Sequence, residues 1–135
     1  MAILDRVTSV PGLAPGNGYS HAITVTGTIA FVSGQVGVDE HGVVADGLAA
    51  QTRLALANLG LVLGRLGAGW ADVLRFGWFV LDTAQLQTIR DIRDEYLTPA
   101  LGGQANPAST LVQVKGLFRP ELLVEVEATV TVPAN

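Results

Sequence analysis

Few side chains in these 135 residues can do chemistry, and their types narrow it quickly. With no cysteine, a thiol nucleophile, a disulfide and a thiolate metal site are excluded. His21 and His41 are too few and too far apart in sequence to argue for a metal site, and no cofactor is expected. Gly64-x-x-Gly67-x-Gly69 follows a helical pattern rather than a strand, so it reads as a helix stop and not as a dinucleotide loop. Ser33 precedes Gly34 at the end of an apolar run, outside any Gly-x-Ser-x-Gly elbow. The carboxylates Glu125 and Glu127 alternate with valines near the C-terminus. A Glu in such a setting can act as general acid or base if its surroundings move its pKa toward neutral. Arg90 and Arg93 fall beside Leu86 and Leu97 on a helical projection and edge an apolar face, with Gln87, Asp91, Asp94 and Glu95 on the solvent side.

The elements that must position these groups are legible from periodicity. Strands are predicted at about 3–8, 21–25 and 28–36, with Thr26-Gly27-Thr28 as a tight hairpin between the last two. Pro11 to Gly18 is turn chemistry throughout, and Asp39-Glu40-His41-Gly42 is another turn. A helix over about 48–66 carries Leu48, Ala55, Leu59 and Leu63 on its apolar face, with Gln51, Asn58 and Arg65 in one polar stripe, and Gly67 and Gly69 stop it. A strand near 73–81 precedes a second helix at about 84–97, N-capped by Thr83 and closed by Pro99 and Gly102-Gly103. Strands near 109–115 and 122–132 finish the chain. In the last, Leu122, Val124, Val126, Ala128 and Val130 share one face, and Leu123, Glu125, Glu127, Thr129 and Thr131 the other. The order β-β-β-α-β-α-β-β gives an α+β domain over 1–135, a mixed sheet with two helices packed on one face. The opposite face is expected to meet a neighbouring subunit. Trp70 and Trp78 read as core or interface anchors.

Charge and composition bound the partners. Only 15% of residues are charged while 49% are hydrophobic, which favours an oligomer that covers apolar surface. The net charge is −4, and the bases are seven scattered arginines and Lys115, so nucleic-acid binding is disfavoured. No apolar run approaches a membrane span. Residues 1–6 lack the basic and apolar segments of a signal peptide, so a cytoplasmic location is expected.

The chain resembles the RidA/YjgF family. The resemblance rests on Tyr19-Ser20-His21-Ala22, Phe31-Val32-Ser33-Gly34-Gln35-Val36, the helix with Gln51-Thr52 and Ala57-Asn58-Leu59, the strand Phe76 to Asp82, Pro107-Ala108-Ser109-Thr110, and Val124-Glu125-Val126-Glu127-Ala128. Each stretch is weak alone, but six in order along nearly the whole chain are specific. The resemblance implies a chorismate-mutase-like fold, a homotrimer with small-molecule clefts between subunits, and hydrolysis of imines or enamines to a ketoacid and ammonia. By the same resemblance Glu125 positions or protonates water, Tyr19 and Ser33 line the cleft, and Arg90 lies where the family has a polar residue near it. A backbone group near Thr110 or Gln113 would help hold the water. Gln113 faces the same way as Ser109 on its strand and would help line the cleft.

One departure stands out. Family members carry an Arg after the Pro-Ala pair that grips the substrate carboxylate, and here that position is Ser109. A charge-assisted contact is worth about 1.5–3 kcal/mol, so its loss weakens a carboxylate substrate tens of fold or more. Arg90 could supply the cation instead, against the competing readings of a snorkelling side chain or an intersubunit ion pair. The expected function is therefore deamination with an altered substrate. The alternatives are a non-catalytic small-molecule binder or sensor and, against the acidic balance, a ribonuclease or translation inhibitor.

Overall fold

The computed structural model describes residues 2–134; Met1 and Asn135, the ends of the expected domain, lie outside the described residues. Six strands and two helices alternate in the predicted order: β1 Ile3–Val7, β2 Ala22–Val25, β3 Ile29–Val36, α1 Leu48–Arg65, β4 Val73–Val80, α2 Leu86–Leu101, β5 Ala108–Gln113 and β6 Val124–Thr131. Four strands form a mixed sheet in the order β3-β6-β4-β5, in which only β4 and β5 run parallel. The alternation of β6 decides its two faces. Val124, Val126, Ala128 and Val130 are almost completely buried against the helices, beside Phe76, Trp78 and Val80 of β4. Leu56, Leu59 and Leu63 of α1 and Ile89, Ile92 and Leu97 of α2 close that core, each buried apolar side chain contributing about 1.5–3 kcal/mol.

The predicted hairpin between β2 and β3 is not formed. β2 pairs antiparallel with β1 in a separate two-stranded sheet, and β3 pairs with β6. The chain still turns at Gly27, which has φ 101°, but it changes sheets there. Local turn chemistry specifies the bend and says nothing about the long-range partner of either strand. The second helix also starts differently. Asp82, not Thr83, is the capping residue: its side chain accepts from the Ala84 N–H and opens a 3₁₀ turn at Thr83–Gln85 that leads into α2. Pro99 does not close α2 but sits inside it, and the helix ends at Leu101, followed by the left-handed Gly102. In the last turn Pro breaks only one ladder hydrogen bond, toward the Glu95 carbonyl.

In the polar stripe on α1, Gln51 and Asn58 face the protein, while Arg65 is exposed. The Gln51 amide donates to the carbonyls of Ala45 (3.1 Å) and Glu121 (2.9 Å), and its oxygen accepts from the Leu123 N–H (2.8 Å). Asn58 donates to Val36 and Val38 carbonyls. These amides therefore tie α1 to the end of β3 and to the segment that enters β6, the strand of Glu125.

Candidate active site

Glu125 stands on the sheet face away from the helices, between Val36 of β3 and Phe79 of β4. Its position depends on a bulge. The pairs Val32–Ala128 and Gln35–Val126 are in register, so two β3 residues, Ser33 and Gly34, oppose the single Glu127. The absence of a side chain at Gly34 leaves the space that the Glu125 carboxylate fills; a Cβ there would collide with it. Burial pushes the Glu125 pKa up from the usual carboxylate range, and the charge of Glu127 pushes it the same way. Glu127 itself pairs with Arg75 at 3.4 Å, both side chains being about two-fifths exposed, so that pair contributes little to stability. Ser33 is exposed on the bulge beside this group.

The remaining candidates gather elsewhere. Cross-strand partners share a face, so Ser109, opposite the buried Phe76, points to the helix side of the sheet. There it lines a cavity of about 130 Å³ with Tyr19, Trp78, Ile89, Arg90 and Arg93. The loop bearing Tyr19 is pinned against the edge strand: Ser20 N–H donates to the Pro107 carbonyl, Ser20 bridges to Ala108, and Asn106 donates to the Gly18 carbonyl at 3.1 Å. Gly18 adopts φ 79° and lies so close to the Arg93 guanidinium that a Cβ would come within 3.1 Å of it. Tyr19 meets His21 edge to face at 5.5 Å, and the His21 Nε2 is buried with no partner among the described residues. Arg93 is 8% exposed and is neutralised by Asp94 at 2.9 Å. Arg90 has no ion-pair partner among the described residues, so the cavity carries one uncompensated positive charge.

Two predicted residues are not brought to this cavity. Gln113 shares the helix-side face with Ser109, but its oxygen accepts from the Thr83 N–H and hydroxyl and fastens the turn before α2. Thr110, opposite Gly77, is exposed on the face that carries Glu125. The sequence reading did not place Arg93, Asn17 or Trp78 at the site, although the spacing of Arg93, three residues beyond Arg90, could have suggested it. A larger groove of about 620 Å³ runs beside β1 past Arg6 and Asp72, and no candidate residue lines it. The Arg6 guanidinium is occupied there by the carbonyls of Ala71 and Ala105. Among the described residues, no group of three or more His or acidic side chains could hold a metal ion.

Within one chain, then, Ser33 and Glu125 occupy one face of the sheet, while Tyr19, Arg90 and Ser109 occupy the other side at its edge. A carboxylate without a pocket and a pocket without a carboxylate make two incomplete halves.

Known proteins resemble this chain in sequence and fold. A sequence profile described as Endoribonuclease L-PSP matches residues 11–132. The human 2-iminobutanoate/2-iminopropanoate deaminase is 30% identical over 131 residues, covering 94% of this chain and 90% of that protein. A solved structure of a Rid-family protein of unknown function from Yersinia pestis is 34% identical, with a TM-score of 0.80 over 93% of this chain and 97% of that one. A YjgF/YER057c/UK114-family protein from Mycobacterium tuberculosis is also 34% identical, with a TM-score of 0.66, covering 85% of this chain and 87% of that one.

Proposed function

This chain belongs to the RidA/YjgF family, the family of the Endoribonuclease L-PSP profile, and on that premise we propose that it hydrolyses small imines to carbonyl compounds and ammonia. The observation that carries the reading is Glu125, a carboxylate bent over Gly34 with its acidity weakened by burial. As the base, Glu125 takes a proton from water while the water oxygen bonds to the imine carbon and the C=N electron pair moves to nitrogen. The protonated Glu125 then returns the proton to the nitrogen of the tetrahedral adduct. Glu125 then carries the hydroxyl proton to the amino nitrogen, and ammonia leaves as the oxygen closes to a carbonyl. One water is consumed and one ammonia is released with no change of oxidation state, so the reaction needs no oxidant or reductant. Arg90 holds the substrate's acid group in place of the Arg missing at position 109, Ser109 donates a hydrogen bond, and Tyr19 and Ser33 shape the walls.

Because the two halves lie on opposite faces, the working site is a cleft between copies in a homotrimer. Glu125 and Ser33 of one copy face the Arg90 cavity of the next. Exposed Phe31 (82%), Ile29 (43%) and Val112 (41%) on the Glu125 face support such burial.

Ammonia release from imines generated in place by an amino-acid oxidase tests the proposal. The protein should accelerate release, and Glu125→Gln should slow turnover about 10²–10⁴-fold. No acceleration across imines of different side chains would leave the non-catalytic binder. Arg90 reaches the acid group from α2, without the bidentate pair that an Arg at position 109 would make, so 2-aminoacrylate should be turned over more slowly than by a relative with Arg at that position. Ser109→Arg should raise its kcat/KM at least tenfold, by the worth of a charge-assisted bond.

A further inference from the structure

We infer that Asn17-Gly18 is a self-modification site: the pair cyclises and hydrolyses to leave a carboxylate at position 17 that neutralises Arg90 and weakens the cavity's hold on acids. The inference rests on the proposed function only for Arg90 as the partner of an acid group. Of the four asparagines, Asn17 alone precedes a glycine. Asn58 lies inside α1, its amide bonded to the Val36 and Val38 carbonyls. Asn106 precedes Pro107, which has no N–H to react. Asn17 is exposed in the loop before β2, and neither its amide nor the Gly18 N–H has a hydrogen-bond partner among the described residues. The fold itself favours the glycine, because its φ of 79° and its closeness to Arg93 both disfavour a Cβ.

The step balances without a partner. The Gly18 nitrogen, its proton taken by hydroxide, bonds to the side-chain carbonyl carbon of Asn17, and the amide nitrogen leaves as ammonia. A residue without a side chain puts the least bulk beside that attack. Water then opens the cyclic imide at either carbonyl and gives Asp or isoaspartate. One water is consumed and one ammonia released, with no redox change. Both products place a carboxylate in the cavity that Asn17 lines with Arg90 and Arg93. Arg93 is already paired with Asp94 at 2.9 Å, so the new charge falls to Arg90, the cavity's uncompensated cation. An Arg engaged by an internal carboxylate no longer offers a ligand a charge-assisted contact, and affinity for an acid should fall at least tenfold.

The full chain, held for days in mildly alkaline buffer, tests both parts. Peptide mapping by mass spectrometry should find acid in place of amide at position 17 well before positions 58 and 106, and an isoaspartyl methyltransferase assay should detect the rearranged product. Pyruvate, titrated by calorimetry, is the acid probe. Its affinity should fall at least tenfold as position 17 converts, and Asn17→Asp should reproduce that loss in fresh protein. Asn17→Gln should hold its own starting affinity throughout the incubation. In an Arg90→Gln background, Asn17→Asp should cost little more, because the cation it neutralises is already gone; a loss as large as in the parent would mean a distorted loop and overturn the inference. Position 17 still an amide when the urea-unfolded chain has converted, or Asn17→Asp chains that bind pyruvate as the parent does, also overturn it. Pyruvate binding that declines with conversion, in protein that releases no ammonia from imines even when fresh, upholds the inference and rejects the proposed reaction.

Discussion

A methyl group at position 34 would enter the space of the Glu125 carboxylate. The obstacle is the free end of a flexible side chain, so the fold can accommodate Gly34→Ala while Glu125 cannot keep its place. Displacement of a catalytic group by about 1 Å can cost about 10²-fold. Gly34→Ala should therefore fall in turnover by that order while its thermal midpoint stays within a few degrees of the parent. The pH dependence follows from the raised pKa. A carboxyl whose folded pKa lies above its unfolded value, about 4.3 for Glu, favours the folded state below that value and loses this contribution as pH rises through the folded pKa. Relative to the parent, Glu125→Gln should gain stability at neutral pH and lose that gain below about pH 4, which melting curves across pH would read. Glu127 raises the Glu125 pKa through its charge, so Glu127→Gln should shift the acid limb of the rate profile downward with little change in maximal turnover. At this scale the alternation of β6 made both carboxylates legible. The bulge that separates them was not, because it arises from the register between β3 and β6, residues almost a hundred positions apart.

Among the elements, α1 acts as the fixture for β6. Gln51 spends all three of its bonds on Ala45, Glu121 and the Leu123 N–H, two residues before Glu125. Removing the amide in Gln51→Ala strands buried donors and acceptors, at a cost of about 2–4 kcal/mol. Denaturant titration should show that loss, and turnover of the folded fraction should drop as the β6 entry loosens. Both helices and all six strands were legible from period and turn residues, since those signals are local. The β2–β3 hairpin was wrong because strand partners are chosen at long range. The cap ahead of α2 was misplaced by one residue because Asp82 and Thr83 are both competent caps, and only the folded backbone selects Asp82. Gln51 read as a polar stripe for the same reason: the sequence shows an amide but not the carbonyls that satisfy it.

For the molecule as a whole, an acidic chain with a single lysine should bind RNA weakly and with no marked salt dependence, despite the name of its family profile. Sedimentation at micromolar concentration should give about three times the chain mass. The central claim is that Glu125 of one copy serves the Arg90 cavity of another. Mixing Arg90→Gln chains with Glu125→Gln chains under conditions that exchange subunits tests it directly. Each variant alone has no site with both groups intact. In randomly mixed trimers, about a quarter of the clefts should pair an intact cavity with an intact carboxylate, and ammonia release should return to about that fraction of the parent rate. Mixed trimers that form, as native mass spectrometry would show, and yet release no more ammonia than either variant alone would contradict the account.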